Sequence, residues 1–161
     1  MPRTALIVAI PEAEPAVGAL RLEHDWSAVR GVPAHVTILF PFADAAHVDE
    51  DAIADLVAGF ASFAFELDRV ERFEEGPVWL HPEPSAPFAA LIDAVWRRFP
   101  DYPPYEGAHD VVIPHLTVSD SPIEVDVELP IRATAREVTL IEEAVDGSWS
   151  VRRRFPLQGV A

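Results

Sequence analysis

Pro33-Ala-His35-Val-Thr37-Ile-Leu39 and Pro114-His115-Leu-Thr117-Val-Ser119 are two versions of one short segment, 80 residues apart, one in each half of the chain. Each sets His-x-Thr in an apolar, β-branched run. Side chains alternate faces along a strand, so His35 and Thr37 share one face while Val36 and Ile38 share the other. His115 and Thr117 likewise face one way, with Leu116 and Val118 behind them. Each strand presents an imidazole beside a hydroxyl on a packed backing. With 6 His and 5 Thr in the chain, random placement gives about 0.2 such pairs, so a matched couple is a specific signal where a single one would be weak. Two hydrogen-bonded core histidines in unrelated strands would explain each His alone, but not their matched surroundings.

Outward from the motifs, strand and helix signals follow one another without the strict alternation of a doubly wound parallel sheet. Thr4–Ile10 reads as a buried strand and Glu12–His24 as a helix with Pro15 in its first turn. Gly31-Val-Pro33 is a turn, and His35–Phe40 a strand that Pro41 ends. Apolar residues recur at helical spacing over Asp49–Phe60 and again over Ser85–Phe99. Phe63–Phe73 and Val78–His81 read as strands, Pro82-Glu-Pro84 as a linker and Pro100–Asp110 as a loop. Val111–Ser119 holds a strand interrupted at Pro114. Asp120–Pro130 is too short and proline-rich for a full helix, and Ile123, Val125, Val127 and Leu129 alternate as in extended chain. Arg132–Val145 and Ser148–Leu157 read as two strands joined at Asp146-Gly147, a hairpin signal. Alternation in the last strand sends Arg152 and Arg154 to a solvated face, away from Trp149, Val151, Phe155 and Leu157. The class is α+β, with antiparallel sheets and helices packed outside, in one domain over residues 1–161.

The chain carries 12 basic and 27 acidic residues, a formal net charge of −15, and no Lys. Binding a long duplex needs many Lys and Arg to displace counterions. Long nucleic acid is therefore not an expected partner, and the acidity reads as solubility. The absence of Cys rules out disulfides, thiolate metal sites and a Cys nucleophile. No apolar run approaches the roughly 20 residues that span a bilayer, and the N-terminus lacks a signal peptide's long apolar stretch. No membrane partner and a cytoplasmic location are expected.

Two imidazoles and two hydroxyls around one space suit phosphodiester chemistry. Imidazole titrates near neutral pH, so one ring can accept a proton while the other donates one. Thr hydroxyls can donate to non-bridging phosphate oxygens, where charge builds up. His-rich metal sites usually recruit carboxylates, and neither motif carries one at the paired position, so no metal and no cofactor are expected.

The two motifs, with GVPAHVTILFPF, VWLHPEPSAPFAALIDAVWRRFP, IPHLTVS and EVTLIEEAVDGSWSVRRRFPL in that order, resemble the 2H phosphoesterase superfamily. That superfamily includes the bacterial 2'-5' RNA ligase-like proteins and RNA 2',3'-cyclic phosphodiesterases. The resemblance covers nearly the whole chain. It implies a bilobal LigT-like fold of two antiparallel sheets with outer helices and pseudo-twofold symmetry around one central cleft. It implies that His35 is the acid that protonates the leaving ribose oxygen, that His115 is the base that activates water, and that Thr37 and Thr117 hold the phosphate. Phe40 matches an aromatic position that in relatives lies against a base, although strict alternation puts it on the back face. Two departures stand out. The stretch after the second motif has no room for the helix that relatives often carry, which leaves the C-terminal lobe partly uncovered. And Ser119-Asp120 stands where some relatives have an Arg near the phosphate.

Trp79 and His81 share a face and can line the cleft, Trp79 as a stacking ring. Tyr102 and Tyr105 sit in the loop before the second motif and can form a lid. His24, His47 and His109 read as surface residues. The expected activity is metal-independent hydrolysis of a 2',3'-cyclic phosphate on a small nucleotide or RNA end, by a chain taken to be a monomer. Three alternatives stay open: a nucleotide or RNA-end binding module with an unproductive site, a 2'-5' RNA ligase, and a structural protein that dimerises through its uncovered lobe.

Overall fold

In this computed structural model, which describes residues 2–108 and 112–159, eight strands form one sheet. They are β1 (Thr4–Ala9), β2 (His35–Leu39), β3 (Phe63–Arg72), β4 (Val78–Glu83), β5 (Leu116–Ser119), β6 (Ile131–Ala135), β7 (Glu137–Glu143) and β8 (Trp149–Pro156). The helices are α1 (Glu14–His24), α2 (Trp26–Val29), α3 (Glu50–Val57) and α4 (Ala86–Arg98). The sheet order is β6-β3-β4-β5-β2-β1-β7-β8, and every ladder is antiparallel. The two expected sheets are its two four-stranded halves, β6-β3-β4-β5 and β2-β1-β7-β8, joined edge to edge where Val36 pairs with Leu116. A pseudo-twofold through that junction exchanges β2 with β5 and β1 with β4.

The connection from β6 to β7 forces the sheet to curl. Six strand spacings separate them in the sheet order, about 29 Å if flat. Yet Arg136 alone links them in sequence, a reach of at most about 7 Å. The ends are tied further by Ser62 N–H to the Gln158 carbonyl (2.7 Å) and Gln158 N–H to the Phe60 carbonyl (2.8 Å).

Helices α1, α3 and α4 cover one face. Val17, Ile53, Phe88, Leu91 and Val95 pack there against Leu6, Val8, Val36, Ile38, Leu80, Leu116 and Val118, all at most 1% exposed. Burying each such large side chain contributes about 1.5–3 kcal/mol. The helices cross the junction: α1, in the half that carries β1 and β2, touches β5, while α4, which follows β4, touches β2. After β5, residues 121–130 form no ladder and no helix. Their alternation is as expected, with Ile123, Val125, Val127 and Leu129 half-buried and Glu124, Asp126 and Glu128 exposed. Val125, Val127 and Leu129 pack on the main core. A strap therefore covers this lobe where it was expected to be partly bare, and dimerisation through an uncovered face loses its premise.

Other corrections have local causes. Pro82-Glu-Pro84 is not a linker, because β4 runs on through Pro82 to Glu83. Beyond Leu80 it has no ladder partner on the β5 side, and an edge tolerates a residue with no N–H. Arg132–Val145 is two strands, broken at Arg136, where the chain crosses between halves. In β8 a bulge at Arg152 changes the alternation. Trp149 faces one side of the sheet and Phe155 the other, and Val151 is 42% exposed. Arg152 is ion-paired to Glu50 at 2.9 Å and hydrogen-bonded to the Ala45 carbonyl at 2.6 Å, away from the motifs. His47 is exposed and His24 half-buried; His109 and Val111 lie outside the described residues. Among those residues no helix is long and apolar enough to cross a membrane.

Candidate active site

The register of the central junction assembles the motifs. Val36 pairs with Leu116 in an antiparallel ladder, so one step either way sets His35 across from Thr117 and Thr37 across from His115. Directly opposite residues lie about 4.5–5.5 Å apart. Val36 and Leu116 are in the helix-side core, which leaves both imidazoles and both hydroxyls on the other face, with the histidines on one diagonal. All four residues are half-buried.

Each ring is held in the same way. His35 Nδ1 lies 2.7 Å from the Pro33 carbonyl and His115 Nδ1 lies 2.6 Å from the Ile113 carbonyl. A carbonyl only accepts, so Nδ1 carries the hydrogen in both rings and Nε2 is the ring nitrogen chemically able to take part in proton transfer. The surroundings repeat too. Ile38 is an extra residue opposite β1, and Val118 an extra residue opposite β4. Both bulges follow the motif Thr directly, and both put two successive residues into the core: Ile38 with Leu39, and Val118 with Ser119.

That bulge corrects the alternation at Phe40. With Ile38 and Leu39 both turned to the core, Phe40 falls on the motif face, in a cavity with His35 and Thr37 and edge-on to Trp149 (centroids 6.0 Å). Tyr105 also reaches the site: its hydroxyl is hydrogen-bonded to Thr37, and its N–H donates to the Phe40 carbonyl at 2.6 Å. Tyr105 and Glu106 hold positive φ, 51° and 57°, a costly conformation for two successive non-glycine residues. Tyr102 turns inward instead, edge-on to Phe42. Trp79 is on the motif face as expected but only 6% exposed; it stacks on Phe73 (4.9 Å) and stands edge-on to His115 (5.8 Å). It backs the His115 ring and leaves the open surface to Phe73.

His35 is hard to protonate here. Its pKa is pushed down to about 4, first by burial, with the nearby charges of Arg21 and His115 adding to the effect against the Pro33 carbonyl and Asp25. We expect a ¹H–¹⁵N titration of the ligand-free protein to put the His35 midpoint near 4. The native ring then binds fewer protons than an unfolded histidine between about 4 and 6.5, so its stabilising contribution is full above 6.5 and is lost as pH falls through that window.

The family model of the 2'-5' RNA ligase superfamily matches residues 10–153 and spans both motifs. The chain belongs to this superfamily. Solved structures of the same fold include E. coli LigT complexed with NADP+ (TM-score 0.70, 16% identity) and with 3'-AMP (0.69, 16%). TT0787 of Thermus thermophilus is similar as well (0.65, 18%). Each comparison covers 99% of this chain and 100% of the other. None of the curated proteins matches the chain.

In this superfamily member two cavities flank the four motif groups. One of about 390 Å³ holds His115 and Thr117 with Phe73, Glu75, Tyr105 and Asp120. One of about 120 Å³ holds His35 and Thr37 with Trp26, Phe40 and Trp149. Among the described residues no Arg or Lys lines either, and the motif imidazoles are the lining groups able to carry positive charge. Asp120 accepts from Trp26 N–H at 2.9 Å, and burial raises its pKa. A further hollow of about 450 Å³ along β3 and β6 contains none of the motif groups.

Asp68, His81 and Glu83 bring possible metal donors within 4.8 Å of one another. A simpler account suffices, because His81 Nδ1 lies 2.9 Å from Asp68 Oδ1 in a hydrogen bond. Sequence reasoning missed Arg21, Trp26, Phe73 and Trp149. For Arg21 a signal was present: it falls at helical spacing from Glu14 and Val17, on the buried side of α1.

Proposed function

We propose that this chain is a metal-independent phosphodiesterase that opens a 2',3'-cyclic phosphate on a nucleotide or RNA end. The observation that carries the reading is the matched anchoring of the two rings, each by the carbonyl two residues before it. That anchoring supports a proton-transfer role for both Nε2 atoms, beside two Thr hydroxyls. In the reaction, His115 Nε2 takes a proton from water as the water oxygen bonds to phosphorus. The bond from phosphorus to one ribose oxygen breaks, and His35 Nε2 gives its proton to that oxygen. Thr37 and Thr117 donate to the non-bridging oxygens. By the family resemblance, the product carries a 2'-phosphate.

The acid role requires a protonated His35, which its burial opposes. A bound phosphate supplies the missing counter-charge, since an adjacent anion favours the cationic ring. The His35 midpoint should therefore rise when inorganic phosphate saturates the site. A midpoint that stays near 4 with phosphate bound would transfer the acid role to His115.

The test of function is hydrolysis of a panel of nucleoside 2',3'-cyclic phosphates in excess EDTA, alongside the His35→Ala/His115→Ala double variant. Turnover by the wild type alone is the expected result. No turnover on any member would favour the second reading, a nucleotide-binding module with an unproductive site, which the lack of an Arg or Lys lining either cavity among the described residues supports. Ligation is disfavoured because neither cavity has, among the described residues, an Arg or Lys to hold two RNA ends; joining of RNA fragments on a gel would reverse that judgement.

A further inference from the structure

We infer that Trp26 is the outer wall of a slot that stacks the planar base of a nucleotide on the His35 side of the site. This deepens the reading above and rests on it. Trp26 is 51% exposed, whereas Trp79 and Trp149 are 6% and 7% exposed. A large aromatic ring left half in water beside His35 and Thr37 is a candidate contact for a ligand.

The ring is held in place. Its backbone N–H is bonded to Asp120 at 2.9 Å, across from the second motif. The turn that carries it is capped by Asp25, whose Oδ1 accepts from Ser27 N–H at 3.0 Å. The Arg30 guanidinium lies 5.3 Å from its centroid, while the ring also lines the slot. The inner wall is equally fixed. Phe40 and Trp149 meet edge-on, and Arg3, paired to Glu143 through two bonds of 2.9 and 2.8 Å, lies 5.3 and 5.9 Å from their centroids.

The slot's contents narrow its ligand. At about 120 Å³ it is far below the roughly 300 Å³ at which whole-ligand pockets begin, so it takes one ring and not a whole nucleotide. Between its aromatic walls the lining is mostly aliphatic, and its polar side chains are Ser27, His35 and Thr37. With no Arg or Lys lining it among the described residues, a second phosphate is disfavoured. A flat heterocycle whose phosphate rests at the His and Thr groups fits the walls, the size and the polarity together.

The experiment is calorimetric binding of adenosine 3'-monophosphate, ribose 5-phosphate and inorganic phosphate to the wild type, Trp26→Phe and Trp26→Ala. Stacking on an aromatic side chain makes the expected loss for adenosine 3'-monophosphate in Trp26→Ala about tenfold or more. Trp26→Phe should stay within about threefold of wild type, and both variants should bind the two base-free ligands within about twofold of wild type. Equal loss for all three ligands would make Trp26 a structural prop and overturn the inference, as would unchanged nucleotide binding in Trp26→Ala. Because binding is read without turnover, base-selective loss in a protein that hydrolyses nothing would uphold the slot and sink the phosphodiesterase reading instead.

Discussion

Alanine at His115 is expected to lower kcat on a cyclic phosphate by about 10²–10⁴-fold, alanine at His35 by a similar factor, and the double variant hardly further. In the proposed mechanism the two rings serve one transfer: one takes a proton as the other gives one, so losing either stalls the step and the second loss finds little left to remove. Each ring is half-buried and hydrogen-bonded at Nδ1 to a main-chain carbonyl, so truncation leaves a carbonyl that water can reach. Melting temperature should move little. His115→Asn separates position from chemistry, because its amide can still donate to the Ile113 carbonyl but has nothing at the Nε2 position. It should be as slow as His115→Ala. Steady-state rates on one cyclic nucleotide at pH 7 decide the matter, and a fall of less than about tenfold in both single variants would sink the two-histidine mechanism.

Why the motifs were readable and their neighbours were not follows from what a strand records locally. Alternation of two residues places His35 with Thr37 and His115 with Thr117, and that needs only the strand itself. The pairing of Val36 with Leu116 is a tertiary event, yet the matched flanks announce it because both halves use the same solution. Phe40 was misplaced because a bulge adds one residue to the count, and nothing about Ile38 as a residue marks it as the extra one. Arg152 in β8 conceals the same kind of slip. The break at Arg136 carries no Gly or Pro, so two β-prone runs read as one although they belong to opposite halves of the sheet. Trp26 lies outside the long strands, and only the packed structure brings it to the first motif, whereas Tyr105, a lid candidate from its place in the loop before the second motif, reaches Thr37.

Arg21→Ala is expected to lower the unfolding free energy by about 3–5 kcal/mol, a large part of the roughly 5–15 kcal/mol that holds a typical domain together. Arg21 is 2% exposed and Asp25 4%. The guanidinium meets Asp25 at 3.1 Å, the Val32 carbonyl at 3.1 Å and Ser27 Oγ at 3.2 Å, with Glu14 at 3.9 Å. Its removal leaves the Asp25 carboxylate buried without its countercharge, which costs far more than the pair itself contributes. Removing both charges should hurt less than the sum, so an Arg21→Ala/Asp25→Ala cycle should show a coupling energy of at least about 1 kcal/mol. Arg21→Lys should recover only part of the loss, because an ammonium cannot reproduce the planar fork that reaches three partners. The same bonds connect α1 to the turn that leads into β2: Arg21 holds the Val32 carbonyl, and Glu14 accepts from Ala34 N–H at 3.0 Å, one residue before His35. Urea unfolding of the wild type and these variants measures the energies, and a change below about 1 kcal/mol in Arg21→Ala would mean that water replaces the guanidinium and that the network does not hold the first motif in place.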